Sequence, residues 1–123
     1  MARVLIVDDS PTETFTLKSM LEAKGFEVLT AENGADGVAL AREELPDAVL
    51  MDIVMPGLNG FQAKRQLSKD EKTAHIPVVI VTTKDQETDK VWGQRQGAKG
   101  YLVKPVSEDV LAKTIQGVID EAQ

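Results

Sequence analysis

Carboxylates follow two apolar segments of this 123-residue chain, and their positions suggest a shared chemical site. Asp8 and Asp9 come directly after residues 4–7, and Asp52 comes directly after residues 48–51. Short apolar runs of aliphatic and β-branched residues are typical of buried strands. Each carboxylate therefore lies where a strand leaves the core. The sequence predicts that the three converge if the two strands are neighbours.

Two further polar side chains follow apolar segments in the same way. Thr82 follows residues 78–81, and Lys104 follows residues 101–103. Three close carboxylates repel one another unless a cation lies among them, and their hard oxygen atoms favour Mg²⁺, with Mn²⁺ as the alternative. A carboxylate nucleophile, a divalent ion, a lysine and a hydroxyl are the groups that phosphoryl transfer to aspartate requires. We therefore interpret Asp52 as a candidate phosphoryl acceptor.

Apolar runs and segments with helical periodicity alternate along the whole chain. This alternation predicts an α/β fold with a parallel sheet, helices on both faces and all strand carboxyl ends at one edge. Pro56 and Gly57 predict a loop soon after Asp52. The predicted strands are residues 3–7, 26–30, 47–51, 78–81 and 101–103.

Polar residues before the helical segments predict where the helices begin. Ser10 and Glu13 form a capping-box pattern with Pro11 at the first helical position, and Gly25 is expected to end that helix. The caps expected for the second, fourth and fifth helices are Asn33, Asp85 and Ser107.

The fourth helical segment is the least apolar of the five. It contains Gly93 and few apolar side chains besides Val91 and Trp92, so we expect it to pack lightly. The other helices carry clear apolar faces. The residues expected to face inward are Leu17, Met20 and Leu21 in the first helix, Val38, Ala41 and Leu45 in the second, Phe61 and Leu67 in the third, and Leu111, Ile115, Val118 and Ile119 in the fifth.

The composition excludes several classes of protein. No apolar stretch approaches the ~20 residues that a membrane-spanning helix needs. The net charge of −6 argues against direct binding to nucleic acid, which depends on Lys and Arg. The absence of cysteine excludes disulfides and thiolate chemistry. We expect one domain over residues 1–123, cytoplasmic and not inserted in a membrane.

Four motifs occur in order at the predicted strand ends. They are Val-Asp-Asp, Met-Asp-Ile-Val-Met-Pro-Gly, Val-Thr-Thr and Tyr-Leu-Val-Lys-Pro. In this combination the chain resembles, over residues 3–121, the CheY-like receiver domain of two-component response regulators. The resemblance implies a flavodoxin-like (βα)5 fold with sheet order 2-1-3-4-5 and no output domain. Two longer stretches are similar to PilH-type regulators of type IV pilus (twitching motility) chemosensory systems. They are Asp-Asp-Ser-Pro-Thr-Glu and Met-Asp-Ile-Val-Met-Pro-Gly-Leu-Asn-Gly-Phe-Gln.

The resemblance also implies roles for the acidic residues. Asp52 would be the phosphoacceptor. Asp9 would bind Mg²⁺ directly and Asp8 would bind it through water, while Asp52 and the backbone carbonyl of Val54 would complete the protein ligands.

The remaining site residues would serve the phosphoryl group. Lys104 would pair with it, Thr82 would donate a hydrogen bond to it, and Tyr101 would move from an outward to an inward rotamer. Val54 and Lys84 occupy positions that tune dephosphorylation in the family, and we hypothesise that Lys84 reaches the phosphoryl group.

Thr83 departs from the family pattern. It stands where receivers usually have Ala or Gly, at a position that controls access to the phosphate.

The resemblance implies two protein partners. A histidine kinase would donate the phosphoryl group, and an output partner would bind the face formed by the fourth helix, the fifth strand and the fifth helix. Two alternatives stay open. One is a phosphate sink that drains a shared kinase, and the other is a small-molecule phosphohydrolase, although such enzymes carry Asp-x-Asp and Val54 replaces the second Asp.

Overall fold

The structure, a computed structural model, describes residues 2–55, 57 and 59–123. Five strands and five helices alternate along these described residues. The strands are β1 Arg3–Val7, β2 Glu27–Ala31, β3 Ala48–Met51, β4 Val78–Thr82 and β5 Gly100–Val103. They form one parallel sheet in the order β2-β1-β3-β4-β5, which confirms the predicted α/β fold and sheet order.

The helices cover both faces of this sheet. They are α1 Pro11–Ala23, α2 Gly34–Glu44, α3 Gly60–Lys69, α4 Glu87–Arg95 and α5 Glu108–Ala122. Side chains of β1 alternate between two apolar clusters: Leu5 and Val7 pack with α2 and α3, whereas Val4 and Ile6 pack with α1 and α5. Strands β1, β3 and β4 are buried on both faces of the sheet. This burial explains why their sequences are almost continuously apolar.

Most of the predicted helix ends are found in the structure. The side chains of Ser10, Asn33 and Ser107 each accept a hydrogen bond from a backbone N–H in the first turn of α1, α2 and α5. Gly25, just beyond the end of α1, has a φ of 91°, a left-handed conformation that glycine adopts without steric cost. Asn59 and Gln62 form a complete capping box at the start of α3.

Two predictions about the ends of α2 and α4 are wrong. The N-cap of α4 is Gln86 rather than Asp85, and its side chain makes no capping hydrogen bond. Leu45 does not face the core. It is the C-cap of α2, with a φ of 49°, and it is 50% exposed because the left-handed backbone turns its side chain away from the helix face.

Strand boundaries differ from the predictions by one residue in four of the five strands. β2 begins and ends one residue later than predicted, β3 begins one residue later, β4 extends to Thr82 and β5 begins at Gly100. The peptide bond between Lys104 and Pro105 is cis. The loop prediction at Pro56 lies outside the described residues, as does Leu58 in the segment expected to lead into α3. Across the described ranges, none of the helices combines the length and apolar character that crossing a bilayer requires.

Candidate functional site

Backbone hydrogen bonds continue past the strand ends and fix the positions of the candidate site residues. The N–H of Asp8 donates to the carbonyl of Ala31 at 3.1 Å, and the N–H of Asp52 donates to the carbonyl of Val7 at 3.1 Å. These bonds extend the parallel ladder by one residue beyond each strand. The side chains of Asp8 and Asp52 therefore stand next to each other at the carboxyl edge of the sheet.

Lys104 is tied to the same edge and lies between the two carboxylates. Its backbone N–H donates to the carbonyl of Thr82 at 2.8 Å. Its Nζ lies 2.8 Å from Oδ2 of Asp8 and 3.2 Å from Oδ2 of Asp52. The side chains of all three residues are nearly buried, with exposures of 8% for Lys104, 3% for Asp8 and 10% for Asp52. The structure thus places one ammonium ion in contact with two buried acids.

The ionic contacts control the protonation of Lys104. Burial alone would lower the pKa of Lys104, but the hydrogen bond to Asp8, together with the negative charges of Asp52 and Asp8, outweighs burial and raises the pKa above 10.5. The lysine is therefore a fixed positive charge at neutral pH. This charge offsets the repulsion that two neighbouring carboxylates would otherwise experience.

The remaining oxygens of the two acids accept backbone hydrogen bonds. Oδ1 of Asp8 accepts from the N–H of Ser10 at 2.9 Å, and Oδ1 of Asp52 accepts from the N–H of Val54 at 2.9 Å. The start of α3 packs so closely against this segment that a Cβ at Gly60 would collide with the backbone carbonyl of Asp52. Asp52 is therefore held by its own loop and by a helix that approaches its backbone.

Asp9 is placed differently from the other two acids. It is exposed, and it lines an open groove of about 470 Å³ together with Val54, Asn59 and Lys84. Within residues 2–55, 57 and 59–123, no three acidic or histidine side chains form a ready-made metal cluster. The structure therefore brings together Asp8, Asp52 and Lys104, and leaves Asp9 beside them at the rim of the groove.

The donor set at this edge nonetheless has the chemistry that a hard divalent cation requires. Asp8, Asp9 and Asp52 carry a formal charge of −3 at neutral pH, and Lys104 contributes +1, which leaves −2 for a divalent ion to neutralise. Carboxylate and carbonyl oxygens are preferred ligands of Mg²⁺, which normally keeps several waters and so does not need a closed protein cage.

Thr82 and Tyr101 both form hydrogen bonds with the backbone of Lys84. Thr82 is fully buried, and its Oγ1 accepts a long hydrogen bond of 3.5 Å from the N–H of Lys84. The hydroxyl of Tyr101 donates to the carbonyl of Lys84 at 2.9 Å. Burial raises the pKa of the Tyr101 hydroxyl, and the charges of Asp89, Asp52 and Asp85 raise this pKa further. The segment after β4 is therefore held by hydrogen bonds from β4 and β5.

Helix α4 is lightly packed, as predicted. Its one buried residue in the described chain is Gly93, where a Cβ would come within 3.0 Å of the Tyr101 ring. Val91 and Trp92 are exposed, and the Trp92 ring meets the Phe61 ring of α3 edge to face, with 6.3 Å between their centroids. This aromatic pair was not predicted, because nothing in the sequence relates two residues on different helices.

Glu13 is the second feature that sequence reasoning missed. The capping-box pattern predicts that its carboxylate accepts from the N–H of Ser10, but Asp8 accepts that bond instead. Oε2 of Glu13 lies 3.8 Å from Nζ of Lys104. The competing acceptor two residues before Ser10 was the signal that could have revealed this.

This fold and this strand-end constellation define a response regulator receiver, and comparison with known proteins agrees. Residues 4–116 match the family described as "Response regulator receiver domain". The chain therefore belongs to the response regulator receiver domain family. It is 72% identical over 119 residues to Protein PilH of Pseudomonas aeruginosa, a match that covers 97% of this chain and 98% of PilH.

Solved receiver structures superpose closely on nearly all of the chain. The chemotaxis protein CheY4 of Vibrio cholerae matches with a TM-score of 0.89 at 34% identity, covering 96% of this chain and 98% of CheY4. The receiver domain of the sensor histidine kinase PA1611 from Pseudomonas aeruginosa matches with a TM-score of 0.90 at 28% identity, covering 97% of this chain and 98% of that one. That structure has a magnesium ion coordinated in its active-site cleft.

Proposed function

We propose that this chain is a phosphorylation-dependent switch in which Asp52 accepts a phosphoryl group from a histidine kinase. The observation that carries the proposal is the position of the Asp52 carboxylate, buried at the sheet edge, sharing the ammonium of Lys104 with Asp8. A carboxylate used only as a turn cap does not need a lysine that is 52 residues away in sequence. Membership of the receiver family supports the same role.

In the proposed transfer step, a carboxylate oxygen of Asp52 forms a bond to phosphorus as the bond between phosphorus and the nitrogen of the kinase histidine breaks. The electron pair of the broken bond stays on the histidine nitrogen, and Asp52 becomes an acyl phosphate. Lys104 balances negative charge on the transferred group, and the hydroxyl of Thr82 donates a hydrogen bond to it. Nζ of Lys104 already lies 3.2 Å from Oδ2 of Asp52, and after transfer it would pair with a phosphoryl oxygen.

Mg²⁺ is the proposed cofactor, with Mn²⁺ as an alternative. Asp8, Asp9, Asp52 and the backbone carbonyl of Val54 would hold it, and bound Mg²⁺ would supply the positive charge that stabilises the equatorial phosphoryl oxygens. The residual charge of −2 at the site supports this assignment. Magnesium in the cleft of the PA1611 receiver supports it as well.

The switch would be transmitted through the segment after β4. If Thr82 turns towards the phosphoryl group, it releases the N–H of Lys84, and Tyr101 can then leave the carbonyl of the same residue. Helix α4 follows this segment, and its light packing suits an element with two arrangements. Its exposed Val91 and Trp92, together with β5 and α5, form the proposed surface for an output partner.

The high identity to PilH supports a role in a type IV pilus (twitching motility) chemosensory pathway. The second candidate is a phosphate sink, but the exposed apolar residues on α4 favour an output partner. The lifetime of the phosphorylated form separates the two functions, because a sink requires rapid turnover.

The central test is phosphorylation by acetyl phosphate in the presence of Mg²⁺. Wild-type protein should gain an acid-stable, base-labile phosphate, Asp52→Asn should gain none, and the control Asp120→Asn on the exposed end of α5 should behave like wild type. Labelling of Asp52→Asn to the wild-type level, or no labelling of wild type, would contradict the proposal. Omission of Mg²⁺ should lower the rate severely.

A further inference from the structure

Lys104 faces a third carboxylate besides the two that it contacts directly. Oε2 of Glu13 lies 3.8 Å from Nζ of Lys104, compared with 2.8 Å for Asp8 and 3.2 Å for Asp52. Glu13 sits in the first turn of α1, and its side chain is 45% exposed. A shift of about 1 Å would bring it to direct ion-pair distance.

The local structure leaves the Glu13 carboxylate available for this contact. In a complete capping box it would accept from the N–H of Ser10. Here Oδ1 of Asp8 accepts that bond at 2.9 Å, and the side chain of Ser10 still caps α1 by accepting from the N–H of Glu13 at 3.3 Å. The start of α1 therefore fixes the position of Glu13, while the Glu13 carboxylate does not accept the N–H of Ser10.

A divalent cation at this site would compete with Lys104. The ammonium now contacts the Oδ2 atoms of Asp8 and Asp52, and both residues are among the proposed metal ligands. Two cations repel each other when they share the same oxygens, and a displaced ammonium that stays buried without a partner is costly. Within residues 2–55, 57 and 59–123, Glu13 is the third residue whose carboxylate lies within 4.0 Å of Nζ of Lys104, after Asp8 and Asp52.

We propose that Glu13 is a positioning residue that takes up the ammonium of Lys104 when Mg²⁺ binds to the carboxylates. This inference rests on the proposed function. With Glu13 as its partner, Lys104 keeps a counter-ion while the metal occupies the carboxylates that it contacted before. Glu13 thereby makes metal binding easier without touching the metal.

An NMR titration with MgCl₂ tests this directly. The backbone amide of Val54, which donates to Asp52, reports metal binding. Glu13→Gln should weaken Mg²⁺ binding about three- to fivefold, the range expected for losing one half-exposed ion pair. Glu13→Asp should recover part of the affinity, and the control Glu22→Gln, an exposed glutamate of the same helix, should leave it unchanged.

A double-mutant cycle distinguishes positioning of Lys104 from a direct effect of the Glu13 charge on the metal. In a Lys104→Met background, Glu13→Gln should no longer change the Mg²⁺ affinity. A change of the same size in that background would overturn the inference, as would unchanged affinity in Glu13→Gln alone. Wild type that binds no Mg²⁺ would overturn the proposed metal site as well. Asp52-dependent phosphorylation with equal affinity in Glu13→Gln would overturn this inference only.

Discussion

The backbone of Lys84 is hydrogen-bonded to Thr82 and Tyr101, the two residues on which the proposed switch depends. Its N–H contacts Thr82, its carbonyl accepts from Tyr101, and the residue lines the groove that also contains Asp9 and Val54. Its backbone is therefore tied to the proposed switch residues, while the exposed residue lines the groove that contains Val54, two residues after Asp52. A movement of Thr82 or Tyr101 would break a hydrogen bond to the backbone of Lys84.

Lys84→Ala should shorten the lifetime of the phosphorylated protein. The ammonium would stabilise a nearby dianionic phosphoryl group and restrict water in the groove, so its removal should speed autodephosphorylation about two- to fivefold, as expected for an exposed charge pair. The measurement is the decay of labelled protein after removal of acetyl phosphate. Lys72→Ala, at an exposed lysine in the α3–β4 connection, is the matched control. Equal decay of Lys84→Ala and wild type would disprove the role.

The helices differ in how securely their ends are fixed. α3 has a reciprocal capping box, whereas α4 begins at Gln86 with no side-chain cap. α2 ends at Leu45 in a left-handed conformation that a β-carbon disfavours. The end of α2 is therefore a local weakness in an otherwise well-capped helix.

Leu45→Gly should stabilise the protein. Glycine removes the strain of the left-handed conformation, and this gain exceeds the cost of making the unfolded chain more flexible. The free energy of unfolding should therefore rise by about 0.5–1 kcal/mol. Urea denaturation measures this. The control Glu43→Gly, within the last turn of α2, should instead lower the free energy of unfolding by about 1 kcal/mol. A loss of stability in Leu45→Gly would show that the half-exposed side chain makes apolar contacts that outweigh the strain.

The sequence was most informative where the interactions are local. Ser10, Asn33 and Ser107 cap helices because a side chain can reach a backbone N–H three residues later, and this spacing is visible in the sequence. Leu45 could not be predicted in the same way, because helical periodicity assigns it to the buried face and gives no sign of where the backbone turns left-handed. Glu13 was misassigned because two acceptors, its own carboxylate and that of Asp8, compete for one N–H.

At the scale of the whole molecule, the site depends on contacts between distant parts of the chain. The alternation of strands and helices was sufficient to predict that Asp8, Asp52, Thr82 and Lys104 share one sheet edge. It did not predict that Lys104 would contact two acids and leave Asp9 aside, because the pair Lys104–Asp8 is separated by 96 residues and depends on packing. Topology thus locates the site, and side-chain packing decides its contacts.

The buried ion pairs of Lys104 should make stability fall at alkaline pH. Because the folded-state pKa of Lys104 is raised above its ordinary value of 10.5, this contribution is complete below that pH and is lost as the pH rises through the folded-state pKa. In metal-free buffer, the difference in free energy of unfolding between wild type and Lys104→Met should shrink as the pH increases above 10.5. Urea midpoints at increasing pH measure this difference.

Tyr101→Phe is the control for alkaline stability, because the pKa of Tyr101 is also raised, from 10.0. The difference in free energy of unfolding between wild type and Lys104→Met should shrink equally when both proteins carry Tyr101→Phe. A gap that stays constant with pH would contradict the proposed contribution of the Lys104 charge.

The contact of Lys104 with Asp8 and Asp52 has a consequence for how the protein is made. Lys104, which directly follows the last strand, supplies a counter-ion from within the chain, so the acidic edge can close without a metal being captured during folding. We therefore expect the fold to form without bound magnesium. Under the proposed function, magnesium would then act on the finished molecule, as a cofactor of phosphoryl transfer.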